Sequence, residues 1–129
     1  MKNDITPDER ARHLRITTPS PWVARFAPLV AKNVNVLDVA AGGGRHSRLF
    51  LNQGNFVTAI DKNTIALVNL PHQESLKIIE FDLEVANSVF VQGNFLFAQT
   101  FGAIVVVNYL YRPLFSALID ALAPGGLFI

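Results

Sequence analysis

The stretch that decides the fold is residues 36–47, which reads VLDVAAGGGRHS. Its first residues complete a short apolar run, 34–39, that is rich in β-branched side chains and favours a buried strand. Three consecutive glycines follow, and residues 45–53 after them predict a helix that Gly54 ends as its C-terminal cap residue. The pattern is a strand, a glycine turn and a helix.

The same alternation continues on both sides of this stretch. Ser20 before Pro21 marks the start of a helix over 21–32, which Pro28 should kink or end early. Further strands are predicted at 56–60, 76–81 and 101–107, with a fifth starting at 127 after a turn at 124–126. Helices are predicted at 64–69 and 113–122, and residues 84–99 are ambiguous. This order predicts a doubly wound α/β domain with a mostly parallel sheet.

Composition places limits on the class of protein. The chain has 129 residues, enough for one domain, of which 50% are hydrophobic and only 16% charged. Either the strands are buried on both faces, or the chain is a piece of a larger domain whose remainder covers an apolar face. Residues 1–19 are expected to form a flexible, weakly basic arm, and residues 20–129 the domain. The net charge of +1 does not indicate nucleic-acid binding.

The residue types that are missing also carry information. There is no cysteine, so disulfides and cysteine-based zinc sites are excluded. The N-terminus lacks the apolar core of a signal peptide, and no apolar run approaches the ~20 residues of a membrane span. The three histidines are scattered and predict no metal site. We therefore expect a cytoplasmic protein without a membrane segment.

Acidic residues mark the ends of the first three strands. Asp38, Asp61 and Asp82 occupy these ends, and Asn108 follows the fourth strand. The carboxyl ends of parallel strands form one crevice, in which ligands of such sheets bind. Because aspartate is rare in strands and costly to bury unpaired, a polar or cationic partner should meet these side chains. The glycines would let that ligand lie against the backbone.

The position of Asp38 bears on which ligand this is. A dinucleotide would bring a pyrophosphate to the glycine loop, over the helix N-terminus, where a nearby carboxylate disfavours it. S-adenosylmethionine instead carries an ammonium and a sulfonium, which a carboxylate attracts. Asp61 suits the ribose hydroxyls of either ligand, whereas Asp38 favours the methyl donor.

Four segments in order carry a family resemblance. Residues 36–47 resemble the first motif of the class I, Rossmann-like S-adenosylmethionine-dependent methyltransferases, and residues 58–61 (TAID) are similar to their acidic motif. Residues 81–83 (FDL) resemble the adenine-side motif, and residues 122–126 (LAPGG) the turn before the fifth strand. Ala40 stands where the family often has its first glycine. The family's sheet usually has seven strands and this chain supplies about five, which implies an incomplete domain.

The resemblance implies a role for each matching residue. The methionine end of the cofactor would contact Asp38, Ala40, Ala41, Gly42 and Gly44. Asp61 would take the ribose hydroxyls, and Lys62 would line the adenine edge. Asp82 would meet the adenine amino group, with the backbone of Leu83 against the ring. Asn108 and Tyr109 would lie where the methyl group meets a substrate of unknown class.

Other interpretations stay open at this level. His46 is a candidate base in the substrate pocket, but a surface position on the helix is favoured. Trp22 is expected in the core or packed against the helix, where it could cover the cleft. The pattern Gly42-x-Gly44-x-x-Ser47 partly matches that of NAD-dependent oxidoreductases. A truncated, non-catalytic domain of the same fold is the other alternative, and such a domain could dimerise through its unfinished sheet edge.

Overall fold

A parallel five-stranded sheet organises the chain. The computed structural model describes residues 6–8, 17–84, 90, 96, 99–109 and 111–129. The sheet order is β3-β2-β1-β4-β5 and every neighbouring pair is parallel. The strands are β1 (Asn35–Val39), β2 (Phe56–Asp61), β3 (Leu76–Glu80), β4 (Phe101–Val106) and β5 (Leu122–Phe128). The order, which reverses direction after β3, confirms the predicted doubly wound α/β architecture.

Within the described residues from 17 onward, three α-helices connect or precede the strands. They are α1 (Pro21–Phe26), α2 (Arg45–Gln53) and α3 (Phe115–Asp120), and short 3-10 segments cover Ala27–Leu29, Ile65–Asn69, Gln73–Ser75 and Arg112–Leu114. The hydroxyl of Ser20 accepts the N–H of Trp22 at 3.2 Å, which caps α1 as predicted. Pro28 ends α1 early, so this helix is shorter than the expected 21–32. Gly54 ends α2 in the left-handed conformation, at φ 97°.

The sheet is buried on both faces, which explains the low charge content. One face packs against α1 and α2, and its core includes Val23, Val36, Phe50, Val57, Ala59 and Val105. The other face includes Leu37, Ile60, Ile79, Ile104, Leu114 and Leu118. Successive strand residues alternate between these two sets, as the two-residue period of a strand requires. The described segments contain no helix of the length and apolarity needed to cross a bilayer.

The end of the chain differs from the prediction. The strand β5 begins at Leu122, not at residue 127, and α3 ends at Asp120. Phe101 pairs with Leu122 while Ala103 pairs with Leu127, so the register shifts between these pairs. The predicted turn at 124–126 therefore lies inside the strand as an irregularity, with Gly125 at φ 77°. The strand pairs with β4 both before and after the turn residues. The Pro-Gly-Gly sequence alone predicts only the turn.

The position of Trp22 also differs from the prediction. Its side chain is 57% exposed and stacks edge-on against Phe26, with the ring centroids 4.6 Å apart. The buried stripe of the segment consists of Val23, Ala27 and Val30. Trp22 lies one position away from that stripe, so the core placement is wrong and the ring packs against its own helix instead. The predicted arm over 1–19 and the ambiguous stretch 84–99 fall mostly outside the described residues.

Candidate functional site

Two acidic strand ends share one face of the sheet. Asp38 in β1 is paired in register with Ala59 in β2, two residues before Asp61. Because side chains alternate along a strand, Asp38, Ala59 and Asp61 all point toward the face covered by α2. Asp38 and Asp61 are both buried, at 3% and 8% exposure. The two carboxylates therefore lie on one face of the sheet, at the ends of neighbouring strands.

The glycine loop crosses the end of β2. The N–H of Ala41 donates to the carbonyl of Ile60 at 3.0 Å. Ala40, Gly42 and Gly44 all have positive φ, at 56°, 56° and 83°, so the position held by alanine adopts a conformation that glycine reaches without strain. A Cβ on Gly42 would meet nothing within 4 Å. The backbone of the loop therefore borders open space at Gly42.

Gly44 has the opposite environment. A Cβ placed there would lie 2.8 Å from Leu70 Cδ1 and 2.9 Å from Leu67 Cδ2. The 3-10 segment after β2 thus packs directly on the start of α2. Local sequence patterns do not predict this contact, because Leu67 and Leu70 lie more than twenty residues after Gly44 along the chain.

Asp61, at the end of β2, is hydrogen-bonded to the glycine loop. Its Oδ1 accepts the backbone N–H of Gly42 at 3.4 Å, and its Oδ2 accepts the backbone N–H of Asn63 at 3.1 Å. Each carboxylate oxygen can accept more than one hydrogen bond. The acidic end of β2 is therefore oriented by the glycine loop itself, beside the open space at Gly42.

Asp38 has a partner that the sequence reasoning missed. Ser47, in the first turn of α2 and fully buried, donates its hydroxyl to Asp38 Oδ2 at 2.6 Å. Burial raises the pKa of Asp38 to about 6, and the Ser47 hydroxyl and N–H and the charge of Arg45 oppose the rise, while Asp61 adds to it. The carboxylate is thus mostly ionised at neutral pH. A serine nine residues after a strand-end aspartate is the only signal the sequence held.

His46 is buried rather than on the helix surface, so the favoured interpretation is wrong. Its Nε2 accepts the backbone N–H of Ser20 at 3.1 Å. Burial lowers the pKa of His46 to about 4, with a further contribution from Arg45. Arg45 itself donates to the carbonyl of Thr18 at 3.0 Å. The first turn of α2 therefore anchors the segment before α1, and Nε2 is already engaged in that contact.

The remaining predicted residues follow the carboxyl ends of β2, β3 and β4. Lys62 and Asp82 are exposed, and Asp82 Oδ1 accepts the N–H of Glu84 at 3.0 Å. Leu83 is buried in the core of the opposite face. Asn108 is exposed, follows β4 and has φ 54°, a conformation that asparagine tolerates.

Tyr109 is half-buried beside the acidic strand ends. Burial raises the pKa of its phenol above the usual range, and the charges of Glu84, Asp82, Tyr111 and Asp61 raise it further. The phenol is therefore neutral at physiological pH and can donate a hydrogen bond. It is not poised to act as a base.

A separate depression lies away from the glycine loop. This depression, of about 310 Å³, opens at the amino ends of the strands, lined by residues that include Asn35, Phe56 and Lys77. It is at the opposite edge of the sheet from the glycine loop. Within the described ranges, no three His, Asp or Glu side chains gather as potential metal ligands.

Comparison with known proteins yields structural likeness alone. No protein-family model matches the sequence, and no curated protein sequence does. The glycopeptide N-methyltransferase MtfA is 23% identical, with a TM-score of 0.62 over 97% of this chain and 60% of that one. A SAM-dependent methyltransferase from Thiobacillus denitrificans, in complex with S-adenosyl-L-homocysteine, is 18% identical, with a TM-score of 0.68 over 97% and 54%.

A third structure extends the comparison. It is the 1,6-didemethyltoxoflavin-N1-methyltransferase of Burkholderia thailandensis, bound to 1,6-didemethyltoxoflavin and S-adenosylhomocysteine, at 22% identity and a TM-score of 0.65 over 94% of this chain and 54% of that one. This chain spans 54–60% of the length of these structures. With its parallel sheet in the order 3-2-1-4-5, it has the Rossmann-like fold of the class I S-adenosylmethionine-dependent methyltransferases.

Proposed function

We propose that this chain binds S-adenosylmethionine in the crevice between the glycine loop and the ends of β1 and β2, and that it contributes this binding to a methyl-transfer reaction. The observation that carries the proposal is the hydrogen bond from Gly42 N–H to Asp61 Oδ1 at 3.4 Å. This bond places the Gly42 backbone, which a ligand could approach closely, next to the acidic end of β2. The shared fold supports the proposal from a separate direction.

Each part of the crevice suits one part of the cofactor. The open backbone at Gly42 admits the methionine end, and Asp38, two residues before the loop, supplies the negative charge for the ammonium. Asp61 accepts the ribose hydroxyls, and Lys62 and Asp82 lie toward the adenine, where the backbone of Leu83 meets the ring. Asn108 and Tyr109 border the position of the methyl group. These assignments follow the resemblance and the positions described above.

Methyl transfer from a sulfonium does not by itself require a general acid or base from the protein. The bound cofactor supplies an activated methyl group on a sulfonium, which a nucleophile attacks in line. The crevice holds and orients the reacting groups and excludes water. Tyr109 stays neutral and His46 Nε2 is occupied by Ser20, so neither supplies a general base. The acceptor is a nucleophile of a class that the crevice does not specify.

A dinucleotide is less suited to this crevice. Asp38 is mostly ionised at neutral pH, and it lies two residues before the loop over which a pyrophosphate would sit. In dinucleotide-binding folds the third glycine of the motif permits close packing of helix on strand. Here Ser47 occupies that position, and its hydroxyl holds the carboxylate that would repel the pyrophosphate.

Calorimetric titration of the chain with S-adenosylhomocysteine and with NAD tests the proposal. Binding of the first ligand alone supports it, whereas binding of NAD alone, or of neither ligand, contradicts it. Asp61→Ala removes acceptors for two ribose hydroxyls, and since a hydrogen bond to a charged group contributes about 1.5–3 kcal/mol, we expect affinity to fall at least ~10-fold. The control is Asp120→Ala, at an exposed position at the end of α3, which should bind like the wild type.

A further inference from the structure

We propose that Ser47 is a positioning residue that orients the Asp38 carboxylate and keeps it available, near neutral pH, to the cationic end of the ligand. This inference rests on the proposed function and assigns to one side chain the charge selectivity of the crevice. Ser47 belongs to none of the cofactor contacts derived above.

The geometry of the pair is the first support. The Ser47 hydroxyl donates to Asp38 Oδ2 at 2.6 Å, and the two residues are 0% and 3% exposed. A short bond between buried partners fixes the donor on one carboxylate oxygen. Since Ser47 lies on α2 and Asp38 on β1, the bond ties the helix after the glycine loop to the strand before it.

The charged groups facing Asp38 are the second support. Asp61 approaches from β2 and raises the cost of a second negative charge, while Arg45 on α2 offsets part of it. On the β4 side the register partner is the apolar Val105. Burial favours the protonated acid, and the two hydrogen bonds from Ser47 are the strongest opposing influence. Ser47 therefore offsets more of the effect of burial on the Asp38 carboxyl than any other neighbour does.

A consequence for binding follows directly. An ammonium or sulfonium is attracted to the ionised carboxylate and not to the neutral acid. The pKa of Asp38 is about 6, so affinity should rise about 10-fold between pH 5 and 7 as the ionised fraction grows. An α-amino group, with a pKa near ~7.7–8.0, stays cationic through this window. The ligand itself therefore does not produce the rise.

Ser47→Ala tests the inference. The variant lacks the hydroxyl, so the pKa of Asp38 should rise toward about 7. The reason is that a hydrogen bond to a charged group contributes more than ~1.4 kcal/mol, which is equivalent to one pKa unit. The affinity for S-adenosylhomocysteine at pH 6 should then fall about 5-fold, with the midpoint of the pH profile displaced upward. Ser47→Thr keeps the hydroxyl and should restore the wild-type midpoint. Ser116→Ala, at an exposed serine on α3, is the matched control.

Two measurements separate the possible failures. The first is an NMR titration of the Asp38 carboxyl carbon in ligand-free wild type and Ser47→Ala, and the second is calorimetry with S-adenosylhomocysteine from pH 5 to 7.5. An unchanged carboxyl pKa in Ser47→Ala overturns the inference, as does a shifted pKa with an unmoved binding midpoint. If the wild type binds no S-adenosylhomocysteine at any pH, the proposed function fails first and the inference with it. If Ser47→Thr unfolds, the inference is still tested by comparing the Asp38 pKa and the binding midpoint of Ser47→Ala with those of Ser116→Ala.

Discussion

The backbone N–H of Ser20 donates to Nε2 of His46 across 3.1 Å, joining the capping residue of α1 to the first turn of α2. The bond exists only while His46 is neutral, because a protonated imidazole has no acceptor nitrogen. A cationic ring would also lie beside Arg45 and at the positive end of the helix dipole. His46 thus links the segment before α1 to α2 in a pH-dependent way.

We expect this bond to weaken in acid. The folded-state pKa of His46 is about 4, below its ordinary value of 6.5, so its contribution is present above pH 6.5 and is lost as pH falls through 4. His46→Gln keeps an acceptor and does not titrate. The free energy of unfolding of the variant should rise relative to wild type by about 1–2 kcal/mol between pH 7 and 4, allowing for solvent screening. Urea unfolding at each pH measures this difference, and parallel pH profiles would contradict it.

Asp38 should act in the opposite direction. Its folded-state pKa is about 6, above the ordinary 3.8, so the neutral acid favours folding below pH 4 and this advantage is lost as pH rises through 6. Asp38→Asn removes the titration. The stability of the variant relative to wild type should increase by about 2–3 kcal/mol between pH 4 and 8. Urea unfolding is again the measurement, and a constant difference across this range would show that the carboxylate is not buried as described.

Gly44 and Gly125 offer a matched pair for stability. Both have positive φ, 83° and 77°, but an added Cβ meets Leu67 and Leu70 at Gly44 and nothing within 4 Å at Gly125. Gly125→Ala should cost about 1–2 kcal/mol from backbone strain alone. Gly44→Ala should cost a further ~1–3 kcal/mol from overpacking. Equal midpoints of urea unfolding for the two variants would show that the leucines yield without cost.

Gly42 and Gly125 form a second pair, for binding. Both have positive φ and open space around a Cβ, so alanine should destabilise the fold to a similar extent, about 1–2 kcal/mol at each position. Gly42 borders the proposed cofactor position, where a side chain hinders close approach of the ligand to the backbone. Gly42→Ala should therefore lose affinity for S-adenosylhomocysteine while Gly125→Ala keeps it, as measured by calorimetry at a temperature where both are folded. Equal affinities would remove the loop from the binding site.

Much of the architecture could be predicted from local pattern. Four strands begin and end within about a residue of their predicted positions, and Ser20, Pro28 and Gly54 shape the helix ends as expected. These signals are local because the strand period and cap hydrogen bonds involve residues close in sequence. The start of β5 at Leu122 was missed because its pairing with Phe101 depends on a register that only the neighbouring strand supplies.

By itself, the sequence determined the α/β class, the glycine turn and the set of acidic strand ends, since each is written in the order and type of adjacent residues. Only the tertiary structure decided that Ser47 meets Asp38, that His46 receives the N–H of Ser20 and that two leucines pack on Gly44. These contacts join residues of different elements, from nine to twenty-six positions apart along the chain, and their partners are selected by the packing of helices on the sheet. Their charge states follow from burial, which arises only when those layers close around them.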